Sequence, residues 1–242
     1  MMDAGTSRNR PPGRKGRSLL FDPYPSYTTS YTTAGRRSEE AAGPTTATGG
    51  CLGLVPCGPH DPSRGVAEQY VKDAFRRAHG AEVRTFMPLL LLLQDADGTL
   101  LGVVGVREAR HERLYLERYL DGPVERVASE RTGIAVRRRD LVEIGNLACR
   151  DKACAQRLLA LLPWFLLDAG YRWIAFTGTR AVREMVQKLG ATLIELAPAS
   201  AAQVADAADL WGAYYEHDPR VVIGFLPQVR HLPAFRAAFG RD

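Results

Sequence analysis

A mixed α/β sheet flanked by helices, α+β-like rather than uniformly doubly wound, is the fold that three stretches of this 242-residue chain predict. Residues 141–180 read as a strand, a tight connection, a long apolar helix, a Gly turn and a second strand. Such a βαβ unit favours a parallel pair with ligand bound beyond the strand carboxyl ends. Residues 83–93 and 100–106 flank Asp95-Ala96-Asp97-Gly98 and predict an antiparallel hairpin, while 192–196 and 221–226 supply two later strands.

Taken in order, residues 1–59 are rich in Gly, Ser, Thr, Pro and Arg and are expected to be a disordered low-complexity tail, because they bury too little apolar surface to offset ordering entropy. The folded domain is expected over residues 60–229, with 230–242 as a C-terminal extension. Asp61-Pro62 reads as an N-cap with Pro in the first turn, and Val66, Ala67, Tyr70, Val71, Ala74, Phe75 and Ala78 mark one buried helical face that Gly80 stops. Pro88 lies within the first hairpin arm and implies a bulge or an edge there. Residues 114–121 read as a helix ended by Gly122-Pro123, and residues 124–139 as a short Arg-rich helix or loop. After the βαβ unit, residues 181–189 form a helix closed by Gly190. Ser200 and Gln203 form a capping box for a helix running through Val204, Ala208 and Trp211.

The net charge of +5 is uneven. The first fifty residues hold seven basic and four acidic side chains, so +3 sits in the tail and only +2 on the rest. That field is too weak to argue for nucleic acid, although Arg137-Arg138-Arg139 forms a local basic cluster suited to an acidic partner or simply to solvent. No apolar run approaches the ~20 residues that a membrane span needs. No secretory signal opens the chain, so a cytoplasmic location with free thiols is the expectation. Cys51 and Cys57 have no zinc spacing and no His pair, and no metal site is expected. Cys149 reads as a nucleophile or as a small buried filler.

The order helix, hairpin, central strand, crossover helix, strand, helix, strand resembles the GNAT N-acyltransferase superfamily. The stretches LYLERYLDGPVE (114–125), VEIGNLA (142–148), WIAFTGTR (173–180) and WGAYYEHDPRVVIG (211–224) are similar to the thermostable hemolysin family, a GNAT-like group close in outline to acyl-homoserine-lactone synthases. This resemblance implies a pantetheine thioester bound where two parallel strands part. The phosphate loop, Arg/Gln-x-x-Gly-x-Gly/Ala in the superfamily, falls on Arg150-Asp151-Lys152-Ala153-Cys154-Ala155, with Ala153 in place of the middle Gly. The Tyr that many members use as acid is Val186 here, which makes Tyr214 and Tyr215 the substitutes.

Glu143, in an otherwise apolar strand, is the candidate general base, the alternative being a carboxylate paired with an Arg. Alternation places Glu143 and Gly145 on one face and Ile144 and Asn146 on the other, unless a bulge intervenes and frees backbone groups for the pantetheine. Gly145, Asn146, Leu147, Arg150, Lys152, Ala153 and Ala155 are the candidate donor-binding residues; the cations opening the helix favour an anion there. Glu117, Thr177, Thr179 and Arg180 are candidate acceptor-binding residues, and Glu125 flanks the same insert. The predicted activity is transfer of an acyl group from acyl-CoA, or from the acyl-phosphopantetheine of an acyl carrier protein docked at Arg137–Arg139, to a small-molecule amine. The rival reading is a membrane-active haemolysin-type binding protein without catalysis.

Overall fold

The computed structural model describes residues 53–204 and 210–238. The tail up to residue 52, and most of the helix expected between Val204 and Trp211, lie outside the described residues. Seven strands form one sheet in the order β1-β2-β3-β4-β5-β7-β6, where β1 is Leu54–Cys57, β2 Leu89–Gln94, β3 Leu100–Glu108, β4 Leu141–Cys149, β5 Trp173–Gly178, β6 Ile194–Pro198 and β7 Arg220–Phe225. Among the described residues β4 and β5 are the one parallel pair, and the other neighbouring strands are antiparallel. The mixed α/β sheet flanked by helices that the sequence predicts is the one that forms.

Several boundaries differ from expectation for identifiable reasons. The strand β1 lies inside the stretch expected to be tail: Leu54 to Cys57 pair with Leu93 to Leu90 of β2. The continuous Leu run of β2 needs a partner on its outer side, and an edge strand tolerates Pro56. Helix α1 (Arg64–His79) begins after Ser63, not at Asp61. Asp61 instead turns the chain ahead of it, its Oδ1 accepting from Ser63 N–H at 2.8 Å. Gly80 ends the helix at φ +69°. Pro88 precedes β2 rather than interrupting it.

The stretch 114–121 makes only a 3-10 turn, Tyr115–Tyr119, and is followed by α2 (Val124–Thr132). The crossover helix α3 (Lys152–Asp168) and α4 (Arg180–Lys188) cover one face of the sheet, packing on Val142, Ile144, Leu147 and Phe176. The insert around Tyr115–Tyr119 and the 3-10 turn Gly212–His217 pack on the other face with Leu141, Trp173, Ala175 and Ile223. Helix α1 covers the same face over β2 and β3. Residues expected to be an extension close the core: Phe235, in the short helix Pro233–Ala238, is buried, and its carbonyl accepts from Trp164 Nε1–H of α3 at 2.9 Å.

Candidate active site

The parallel ladder that joins the two halves of the sheet is short. It pairs Leu141, Val142, Glu143 and Ile144 with Trp173, Ile174, Ala175 and Phe176 and stops. Beyond it β4 runs on to Cys149 beside β3, and β5 to Gly178 beside β7, so the two central strands part. At the same level β4 changes register on β3: Gly105 faces Gly145 while Val103 faces Ala148, three steps on β4 against two on β3. That is a β-bulge. Asn146 absorbs it at φ +50°, a left-handed conformation that Asn tolerates better than most side chains.

The bulge corrects the expected facing of Asn146. A Cβ placed on Gly105, which pairs with Gly145, would lie 2.9 Å from Asn146 Oδ1 and 2.8 Å from Met87 Cβ and Cγ. Asn146 therefore projects to the face of Gly145 and Glu143, not to the opposite one. Its Oδ1 accepts from Met87 N–H at 2.8 Å, while its buried Nδ2 has no partner.

The sequence placed a carboxylate at Glu143 and another at Glu117, and both are buried. Glu143 accepts from the backbone N–H groups of Tyr115 (3.0 Å) and Leu116 (2.9 Å), fixing the start of the 3-10 turn to β4. Glu117 accepts from Leu114 N–H at 2.8 Å and Val124 N–H at 2.9 Å, and pairs with Arg138 at 2.6 Å. Burial pushes its carboxyl up, but Arg138 and the two backbone donors outweigh this and hold it below the ordinary range. Arg138 also pairs with Glu125 at 2.7 Å and donates to the carbonyls of Ala109 and Glu112. These contacts place Glu117 in a structural network beneath the insert, apart from the parted strands.

They also dissolve much of the basic cluster. Arg138 turns inward, and Arg137 and Arg139 share Asp140 at 3.0 and 3.8 Å.

Where β5 continues past the ladder, Thr177 is buried and its carbonyl accepts from Tyr214 Oη–H at 3.3 Å. Tyr214 thus reaches the parting of the strands, whereas the Tyr215 hydroxyl meets Tyr119 Oη at 2.8 Å. Thr179 is the N-cap residue of α4 without a side-chain cap bond. Arg180 lies on the surface and pairs with Asp218 at 3.5 Å.

Sequence reasoning overlooked His79, whose ring lies 5.4 Å from that of Tyr214 and 5.2 Å from that of His217. Burial, aided by His217, lowers it to about 4. The signal available was its position, one residue past the last Ala of α1's apolar face.

At the start of α3, Asp151 is the N-cap and accepts from Cys154 N–H at 2.8 Å, while its other oxygen pairs with Arg150 at 3.1 Å. Ala155 is buried, its N–H already donated to the Asp151 carbonyl, so it does not present itself to a ligand as the motif implies. Lys152 and Ala153 stay exposed in the first turn, where N–H groups lack helical partners. Burial drives the Cys149 thiol far up, which fits a core filler rather than a nucleophile.

The architecture is found in solved proteins at low identity. An N-acyl amino acid synthase from uncultured soil microbes, FeeM, superimposes with a TM-score of 0.53 at 16% identity over 78% of this chain and 97% of that one. TofI, in a ternary complex with an inhibitor and MTA, gives 0.52 at 11% over 79% and 98%. BjaI, a CoA-dependent acyl-homoserine lactone synthase with SAM and isopentyl-CoA, gives 0.50 at 14% over 80% and 91%. At these identities the likeness is one of fold. No curated protein matches the chain by sequence. The parted strands, the bulge and the insert all fall within residues 57–230, which match one family model, and the chain belongs to the thermostable hemolysin family.

Proposed function

We propose that the protein is an acyltransferase that moves an acyl group from a pantetheine thioester to an amine. The observation that carries this reading is the parting of β4 from β5 beyond Ile144 and Phe176, with the bulge at Asn146 on the open side. An extended pantetheine can hydrogen-bond to strand backbone released from its ladder, as an added strand does. In this reading backbone N–H groups over 145–147 polarise the thioester carbonyl. Arg150, Lys152 and the first-turn N–H groups of α3 suit the donor's phosphates. The amine nitrogen attacks the carbonyl carbon, the C–N bond forms and the C–S bond breaks. Glu143, or a water that it holds, takes the amine proton, and Tyr214 is the acid that protonates the leaving thiolate.

The donor is read as acyl-CoA, because Arg138 serves an internal network and Arg137 and Arg139 are both engaged with Asp140, which leaves the cluster a weaker dock for a carrier protein. One structural neighbour carries isopentyl-CoA. Ile144 and Phe176, the last pair of the ladder, also line an apolar cavity beneath α3 and α4 with Leu162, Val186 and Leu193. Its accessible volume is about 40 Å³. A cavity this small suits a short acyl chain best.

The test is thiol release by purified protein from a panel of acyl-CoAs with mixed amines, with products identified by mass spectrometry. Amide formation with short acyl donors is expected. Leakage of liposomes by folded protein without any thioester, together with no thiol release, would instead establish the membrane-active reading.

A further inference from the structure

Around Tyr214 lies a set of buried polar atoms that the acyl-transfer scheme leaves unused. Both ring nitrogens of His79, the indole Nε1 of Trp211 and the Thr177 Oγ1 are buried without a hydrogen-bond partner. Their residues are 9%, 0% and 3% exposed, respectively. All three converge on Tyr214, whose ring lies 5.4 Å from that of His79 and 5.3 Å from that of Trp211, and whose hydroxyl donates to Thr177 O. The backbone joins them as well: a Cβ on Gly212 would stand 2.0 Å from the His79 carbonyl oxygen, so the turn after Trp211 is seated directly on the end of α1. The unpartnered Asn146 Nδ2 projects from the same face of the neighbouring strand.

Buried polar side chains in native proteins almost always find partners, and several orphans gathered in one place call for a ligand or bound water. What they can bond is set by their chemistry. An indole N–H and an amide NH2 only donate, whereas a hydroxyl and a neutral imidazole each donate and accept. The group is therefore rich in donors, carries no formal charge while His79 is neutral, and offers few acceptors. Its complement is a small molecule with exposed oxygen acceptors and one N–H to give.

We propose that His79, Trp211 and Thr177 form the subsite for the acyl acceptor, and that the acceptor is an amine with a carboxylate or carbonyl oxygen beside its nitrogen, of amino-acid type. The Trp211 and Thr177 donors take that oxygen. A His79 nitrogen accepts an N–H from the amine and aims its lone pair toward the parted strands. Burial and the neighbouring His217 lower His79 to about 4, so it keeps a free lone pair at neutral pH. This subsite rests on the acyl-transfer reading and adds to it the class of acceptor.

The test pairs each amino acid with its decarboxylated counterpart, leucine with isoamylamine and phenylalanine with phenethylamine, in the presence of a short-chain acyl-CoA, and follows thiol release by the wild-type protein. The expected result is a preference of about tenfold or more in kcat/KM for the amino acid, the worth of one charge-assisted hydrogen bond. Trp211→Phe should raise KM for leucine about tenfold more than KM for isoamylamine and so cut the preference by that factor, since only the carboxylate loses a donor. Thr177→Val gives the same readout should the Trp211 variant not fold. Thiol release with equal preference for both members of each pair would overturn the subsite and leave the acyl-transfer reading standing. No thiol release from folded protein with any pair would overturn both.

Discussion

Protonating His79 should destabilise this protein at a higher pH than protonating its carboxylates does. Its ring is buried against Phe75, Tyr214 and His217, and neither nitrogen has a protein partner. The folded state holds it at about 4 against an ordinary 6.5. Between those values the unfolded chain binds the proton that the folded chain refuses, so stability is fully present above about pH 6.5 and is lost as pH falls toward 4. At about 1.4 kcal/mol per pH unit, the full gap comes to about 3 kcal/mol, a large part of the ~5–15 kcal/mol that holds a domain together. Urea unfolding at pH 7, 6, 5 and 4.5 should show a midpoint that falls steadily. In His79→Phe most of that fall between pH 6.5 and 4.5 should disappear. Glu117 acts in a separate window: its carboxyl is held below the ordinary 4.5, so its contribution is present above that value and is lost only below it. An identical pH slope in wild type and His79→Phe would refute the reasoning.

Three further outcomes follow from the geometry. Arg138→Ala leaves Glu117, 4% exposed, without its cation, and should destabilise the fold by about 3 kcal/mol in urea titrations; Glu125→Ala should cost far less, because it is more exposed. Gly105→Ala drives a methyl against Met87 and the Asn146 amide, so it should cost about 1–3 kcal/mol of stability and weaken acyl-CoA binding measured by calorimetry. Asp151→Ala removes the cap on Cys154 N–H and should cost about 1 kcal/mol. The same change frees Arg150 from its ion pair and removes a negative charge from the helix start, so acyl-CoA affinity should hold or rise.

Much of this architecture is legible in the sequence because local pattern and tertiary role agree. The hairpin around Asp95 to Gly98, the parallel pair around α3 and the reach of β4 follow from period and turn chemistry alone. The failures occur where a distant side chain decides the local structure. Residues 114–121 have helical spacing, but the segment makes only a short 3-10 turn, anchored by Glu143 and Glu117 accepting from the N–H groups of Leu114, Tyr115 and Leu116. Arg138 looks like one of three surface cations, and nothing local reveals that two carboxylates and two carbonyls await it inside. Strand alternation misplaces Asn146 because one extra residue reverses every facing after it. At the candidate site Tyr214 and Thr177 meet, whereas Ala155 gives its N–H to the Asp151 carbonyl and Glu117 pairs with Arg138. His79 shows no pattern of its own, since its meaning depends on Trp211 and Tyr214, more than 130 residues on.

The four-pair ladder between β4 and β5 has a mechanical consequence. Strands β1 to β4 form one panel and β5 to β7 another, and the hydrogen-bonded seam between the panels is only Leu141 to Ile144 against Trp173 to Phe176. Within each panel the antiparallel ladders are longer than the seam at their widest, Leu89–Gln94 on Leu100–Val106 in one and Trp173–Gly178 on Arg220–Phe225 in the other. The molecule is thus a two-leaved book bound by a short spine, and a molecule lying in the fold can tie the open edges together where no ladder does. Amide exchange should report this directly: protection along Gly145–Cys149 and Thr177–Gly178 should rise when the gap is filled, while the interior of each leaf stays unchanged.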